Sequence, residues 1–406
     1  MRLIHTIAAG ALTLLSPAQA IHIPAQQALE LSSKLAISDF FASSRTNDLI
    51  NLHKNLTEIE SISGNELAVG KWLTQSLESQ GYQVEAQEVA KDRYNIFAWP
   101  GKNRNPRLLI TSHIDTVPPF IPYNTTSTKA STTISGRGSV DAKGSVAAMI
   151  IAANGLLDSV EVTPNDFAFL FVVGEEVHGD GMRAANKLNL TPKSIIFGEP
   201  TEGKLASGHK GITVFEVKAQ GKAAHSGYPW LGRSANQVLV RALNALLDLE
   251  PSLPKSDRYG VTTLNIGQIT GGVAANVVAE EARAKVAIRI ADGSPEDIQD
   301  MVTKAVEDAT KDFRDDKGNK VVSLDFLGVG YGPVPLDTDV PGFDKEAVNY
   351  GTDVPNLKVT VDGQKRYLYG PGSIHVAHGA NEALTLADLE LAVKDYKRLI
   401  LHCLRL

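Results

Sequence analysis

Five short segments of this chain end apolar runs, or open helices, with histidines and acids. The first is Ser112-His113-Ile-Asp115, which follows the apolar run Leu108-Leu-Ile110. That run reads as a buried strand, and open α/β sheets place their ligands just beyond the carboxyl ends of their strands. A His and an Asp two apart on extended backbone point the same way, so His113 could bind a metal while Asp115 holds it from behind. A strand-end His hydrogen-bonded to a turn Asp is the plainer alternative. The second segment is Gly136-Arg-Gly-Ser-Val-Asp141-Ala-Lys-Gly144. Its glycines permit tight turns and put Asp141 at a crowded point before a helix. Asp141 could also be that helix's N-cap, a role compatible with the first.

The third segment, Phe171-Val-Val-Gly174-Glu175-Glu176, sets adjacent acids directly after an apolar strand. That is costly unless something positive compensates. Successive side chains diverge, so one can bind metal while its neighbour faces a water. The fourth is Ile195-Ile-Phe-Gly198-Glu199-Pro200. The fifth, Val376-Ala-His378-Gly-Ala-Asn381-Glu382, places a His in a Gly-containing loop before the last helix. Singly, each also reads as an ordinary loop. Together they supply two histidines and several carboxylates at strand ends, the donor set of a two-zinc hydrolytic site. Two metals about 3.5–4 Å apart share a bridging carboxylate and a bridging water, and a spare carboxylate serves as general base.

The elements that must position these residues alternate. Residues from about 37 to 81 read as helices, with Leu67, Val69, Trp72, Leu73 and Leu77 near helical spacing and Gly81 as a stop. Strands are expected at 82–89, 95–99, 108–111, 167–173 and 194–197, with a small-residue apolar helix at 143–157. Alternating strands and helices predict an α/β domain with a mainly parallel sheet flanked by helices. Near His209 the pattern becomes strand (212–219), helix (234–249), strand (261–269), strand (281–290), helix (295–311), strand (321–326). This is the split βαβ order, a complete α+β domain of ferredoxin-like type. The first pattern returns from about Tyr331 and closes with a helix at 386–403. The organisation expected is a signal segment at 1–20, a catalytic domain at 21–208 and 331–406, and an inserted domain at 209–330.

The chain has 406 residues, 43% of them hydrophobic, enough for two domains. Its net charge is −6 and it has no basic block, which argues against a nucleic-acid partner. Met1-Arg2, an apolar run from Leu3 to Leu15 and Ser16-Pro-Ala-Gln-Ala20 fit a secretory signal cleaved after Ala20. A buried N-terminal helix is the alternative. The run is too short to span a bilayer, and no other segment is apolar enough, so no membrane partner is expected. Secretion is the localisation this implies. Cys403 is the only cysteine, so no internal disulfide forms. Asn55, Asn124 and Asn189 each open a glycosylation sequon.

In this order, and from about Leu52 to the C-terminus, the five segments resemble the zinc metallohydrolase family of acetylornithine deacetylase, succinyl-diaminopimelate desuccinylase, aminoacylase and glutamate carboxypeptidase. The resemblance implies two zinc ions per subunit, with cobalt able to stand in. Asp141 would bridge both, His113 and Glu199 would complete one site, and Glu176 and His378 the other. Glu175 would be the general base, and Asp115 would orient and polarise His113. The segment Gly221-Lys-Ala-Ala-His225-Ser-Gly-Tyr228-Pro229 resembles the family's inserted-domain motif. There His225 would hydrogen-bond the developing oxyanion, and Tyr228 would lie among the substrate contacts. Asn276 and Arg289 match positions that contact the substrate carboxylate or carbonyl. On their own residues, His225 reads as a loop His and Arg289 as a surface strand residue.

The activity implied is hydrolysis of an amide bond next to a free α-carboxylate, with a small peptide or an N-acyl amino acid as substrate and a homodimer formed through the insert. An export signal favours a carboxypeptidase. An N-acyl-amino-acid deacylase is the alternative reading. A non-catalytic binding protein on the same scaffold is a third, and the intact ligand set argues against it.

Overall fold

A computed structural model describes residues 45–405. The expected signal segment and the helical stretch before residue 45 lie outside the described residues. The larger sheet is assembled from both ends of the chain. Residues 45–58 (α1) are helical, and α2 (Leu67–Ser79) follows. Gly81, at φ +88°, takes the left-handed position just past α2, where a Cβ would be strained, and it stops the helix as expected. Then come β1 (Gln83–Ala90), β2 (Arg93–Trp99), β3 (Leu108–His113), α3 (Lys143–Asp158), β4 (Phe167–Val172), the short α4 (Asp180–Ala185) and β5 (Ser194–Gly198).

The smaller sheet follows with β6 (Gly211–Gln220), α5 (Ala235–Leu249), β7 (Thr263–Gly271), β8 (Glu281–Ile290), α6 (Pro295–Thr310) and β9 (Val322–Phe326). The chain returns with β10 (Lys365–Tyr369) and α7 (Leu386–Cys403). Capping boxes fix the starts of α6 (Ser294 with Asp297) and α7 (Thr385 with Asp388).

The larger sheet has the order β1-β2-β4-β3-β5-β10. β4, β3, β5 and β10 are parallel, and β2 joins β4 antiparallel. Along β4, Phe167, Phe169 and Phe171 pack on one face, in a core shared with Val146 to Leu156 of α3 and Leu389 to Ile400 of α7. Ala168, Leu170 and Val172 pack on the other, against Met182 and Ala185 of α4. Helices cover both faces, so this strand is apolar throughout rather than alternating. β10 lacks that signature. It opens with Lys365 and Arg366, whose side chains reach Asp337 and the carbonyls of Val354 and Leu357 at the sheet edge.

The smaller sheet is antiparallel throughout, in the order β7-β8-β6-β9. With two helices this is the ferredoxin-like arrangement expected from the element order. Alternate residues of β6 and β8 are buried against α5 and α6, around Phe215, Leu239, Ile288 and Val302, in a core separate from that of the larger sheet. β7 is an edge strand, and seven of its nine residues are exposed.

Candidate metal centre

Three neighbouring parallel strands bring ligands to one edge of the sheet. His113 is the last residue of β3, Glu199 comes one residue after β5, and Glu175 and Glu176 follow β4. Asp141 stands two residues before α3, and His378 lies in the loop between β10 and α7. Asp141 is not the N-cap of α3: Ala142 holds that position, and no side chain caps the helix. The Asp141 carboxylate instead faces two histidines, with Oδ1 3.1 Å from His113 Nε2 and Oδ2 3.2 Å from His378 Nε2. Glu199 Oε1 is 3.8 Å from His113 Nε2, and Glu176 Oε2 is 2.9 Å from His378 Nε2.

The result is two groups that share Asp141. His113, Asp141 and Glu199 form one, and Asp141, Glu176 and His378 form the other, each with its ligand atoms within 4.8 Å of one another. An ion held at about 2.0–2.2 Å from each ligand fits such spacing.

The electrostatics call for cations. Glu176 Oε1 is buried with no hydrogen-bond partner. Burial, with the charges of Glu199, Asp353 and Glu176, pushes the Glu175 carboxyl well above its usual range. Burial, with Asp141 and Glu176, does the same to Glu199. Burial also favours protonated Asp141, but hydrogen bonds from His113 and His378 more than offset it and hold this carboxyl low. The histidines respond in turn. Hydrogen bonds to Asp141 and Glu176 push His378 up to about 10. His113 also rises well above its ordinary value, because Glu199, Asp115 and Asp141 outweigh its burial. Four crowded carboxylates and an orphaned oxygen are relieved by positive ions bound between them.

Asp115 is fully buried and stays ionised. His113 Nδ1 lies 3.0 Å from the backbone carbonyl of Asp115 and 3.6 Å from its carboxylate, so the carbonyl is the nearer orienting group. The carboxylate accepts hydrogen bonds from Ser63 Oγ (2.7 Å) and from the N–H groups of Glu175 (3.1 Å) and Glu176 (3.3 Å). It therefore fixes the turn that carries both glutamates.

The residues of the insert do not gather in one place. His225 is exposed; its Nδ1 accepts from Gly227 N–H, and its backbone bridges Val277. Asn276 is exposed beside it, its carbonyl accepting from Ser226 N–H. Tyr228 packs its ring edge-on to Trp230, and both are largely exposed. Arg289 lies near the opposite end of β8, beside Gly351. A Cβ built on Gly351 would fall 3.2 Å from Arg289 Nη1 and collide with the Tyr331 hydroxyl.

Burial and the charge of Glu175 raise the Tyr331 phenol, and the Tyr331 backbone pairs with Ile212 at the start of β6. Sequence reasoning passed over Tyr331, Ser63 and Asp353, since none sits in a recognisable motif. Glu382 and Arg137 were within quoted segments but without a role.

Comparison with known proteins agrees with this geometry. A sequence profile described as a peptidase dimerisation domain matches residues 207–314, and one described as peptidase family M28 matches residues 95–195. A probable carboxypeptidase of Aspergillus flavus is 51% identical over 381 residues, covering 86% of each chain. One of Aspergillus terreus is 46% identical, covering 95% of this chain and 93% of its own. Among solved structures, a tripeptidase of Staphylococcus aureus shares the fold with a TM-score of 0.72 at 22% identity, covering 89% of this chain and 99% of its own. An M20 family metallo-carboxypeptidase of Sulfolobus solfataricus does so with a TM-score of 0.68 at 17% identity, covering 88% and 99%. Similarity to the fungal relatives spans most of the chain, while the M28 match is confined to one stretch of the larger sheet. The chain belongs to the M20 metallopeptidase family, together with these fungal probable carboxypeptidases.

Proposed function

We propose that the protein is a two-zinc metallocarboxypeptidase that removes a residue bearing a free α-carboxylate from a peptide. The observation that carries this is Asp141, whose two carboxylate oxygens each face a different His-and-glutamate pair. Bound zinc would supply Lewis acidity toward the scissile carbonyl and a readily deprotonated water. Glu175 then takes a proton from the attacking water and passes it to the leaving nitrogen as the C–O bond forms and the C–N bond breaks. Arg289 binds the substrate carboxylate.

His225 and Asn276 complete the site from a second copy of the chain. Within one chain they lie past one end of β8, while Arg289 lies near the other. Nine residues of strand, from Glu281 to Arg289, span roughly 27 Å. That is too far for His225, Asn276 and Arg289 of one chain to meet on one small substrate. The dimerisation-domain match over 207–314 favours the same reading. So does the exposed turn next to His225, where Tyr228, Trp230 and Leu231 are 55%, 73% and 62% exposed. We further propose the two-domain division read from the sequence, with the insert at 209–330, and export through the segment at 1–20. Asn55, Asn124 and Asn189 are all exposed and accessible to glycosylation.

Hydrolysis of carboxyl-terminal dipeptides against N-acetyl amino acids, with zinc supplied, tests the substrate class. Faster turnover of the dipeptides is expected; faster turnover of the N-acetyl compounds would make the protein a deacylase. A further expectation concerns pH. Ligand histidines must be neutral, yet His378 and His113 are held protonated well above their ordinary range without metal. Zinc binding near neutral pH should therefore release protons, and affinity should weaken as pH falls. Calorimetric binding enthalpies measured in buffers of differing ionisation heat would show the release. Identical enthalpies in all buffers would count against His113 and His378 as ligands.

A further inference from the structure

We propose that Arg137 and Glu382 are positioning residues that set the affinity of the Asp141–Glu176–His378 metal group without touching metal or substrate. The proposal rests on the two-metal reading above. The two side chains lie 245 residues apart in sequence, are 2% and 1% exposed, and pair at 2.6 Å. A buried ion pair is tolerated only where further hydrogen bonds satisfy both groups. Arg137 Nε donates to the carbonyl of Pro119 (3.3 Å), and the remaining bonds fall on the backbones that carry two ligands. Glu382 Oε1 accepts from the N–H groups of Val140 (3.0 Å) and Asp141 (3.1 Å). Arg137 Nη1 donates to the carbonyl of Gly379 (3.2 Å), and Nη2 to that of His378 (3.3 Å). The pair thus ties together the two backbones whose side chains meet at 3.2 Å.

The two metal groups differ in how much they need this support. His113 ends β3, between β4 and β5, and Glu199 follows directly on β5, so the sheet itself fixes both. His378 has no such frame. It sits in a loop with its side chain 52% exposed and its backbone at φ +63°, a left-handed conformation that non-glycine residues seldom hold unaided. Arg137 supplies the outside contact that holds it there. Partners that orient metal ligands typically contribute 10- to 100-fold in metal affinity.

Arg137→Lys keeps a positive charge opposite Glu382 but loses the planar fork that spans two carbonyls. Chelator-competition titration of metal-stripped protein with zinc should show one of the two ions bound about 10- to 100-fold more weakly. The other ion's affinity should be unchanged. Glu382→Gln, of equal size, should weaken both ions, because Asp141 is shared. Wild-type affinities for both ions in Arg137→Lys would overturn the proposal. So would an equal loss at both sites, the mark of a purely structural pair. If Arg137→Lys does not fold, Glu382→Gln decides, and unchanged affinities there overturn it. Failure of the underlying reading is a separate result, because it would appear first as a wild-type chain that binds a single ion.

Discussion

Replacing Glu175 by Gln should lower kcat by a factor of about 10²–10⁴ while both metal ions remain bound. The two groups that can hold ions, His113–Asp141–Glu199 and Asp141–Glu176–His378, do not include Glu175. Its backbone is nonetheless fixed beside them, since its N–H donates to the buried carboxylate of Asp115. Gln has the same shape and cannot accept the proton of the attacking water. Steady-state rates measured with the bound metal content decide the matter. Near wild-type activity would remove Glu175 as the base, and loss of metal would make it a ligand.

His225→Ala should lower kcat by a factor of about 10²–10³, the usual effect of losing one oxyanion donor. Metal content should not change, because His225 lies in an exposed loop of the insert. Arg289→Ala should instead mainly raise KM, since a charge-assisted contact to the substrate carboxylate acts in ground and transition states alike. Mixing His225→Ala with Glu175→Gln separates the geometries. When His225 acts across a dimer, a mixed dimer has one site with both residues intact, and activity returns. Mixing that restores nothing would place His225 in its own chain's site, and full activity of His225→Ala alone would end its oxyanion role.

Much of the fold was legible in the sequence because its signals were strong and local. The run Phe167 to Val172 is apolar at every position, as a strand covered on both faces must be. The helices read at 295–311 and 386–403 lie within a residue of α6 and α7, and Gly81 stops α2 as read. β10 was not legible, because Lys365 and Arg366 at a sheet edge break the apolar pattern.

The metal ligands were legible as residue types at strand ends, but the contacts around them were not. Nothing local says that Glu382 meets Arg137, that Ser63 caps Asp115, or that His113 turns to the carbonyl of Asp115 before its carboxylate. Such pairings follow from the chain's path over tens to hundreds of residues. Asn276 precedes β8 and Arg289 stands near its far end, a separation that follows from the strand itself. The sequence motif brought both to one substrate; the fold sets them at opposite ends of a strand and so makes a second copy of the chain part of the functional reading.

Asp141 is proposed to join two metal groups into one hydrolytic centre. This is tested most directly by titrating metal-stripped protein with zinc and following bound ions per chain together with the rate of carboxyl-terminal residue release. Two ions should bind per chain, and the rate should reach its maximum only as the second site fills. Full activity at one bound ion, with no second ion taken up, would contradict it.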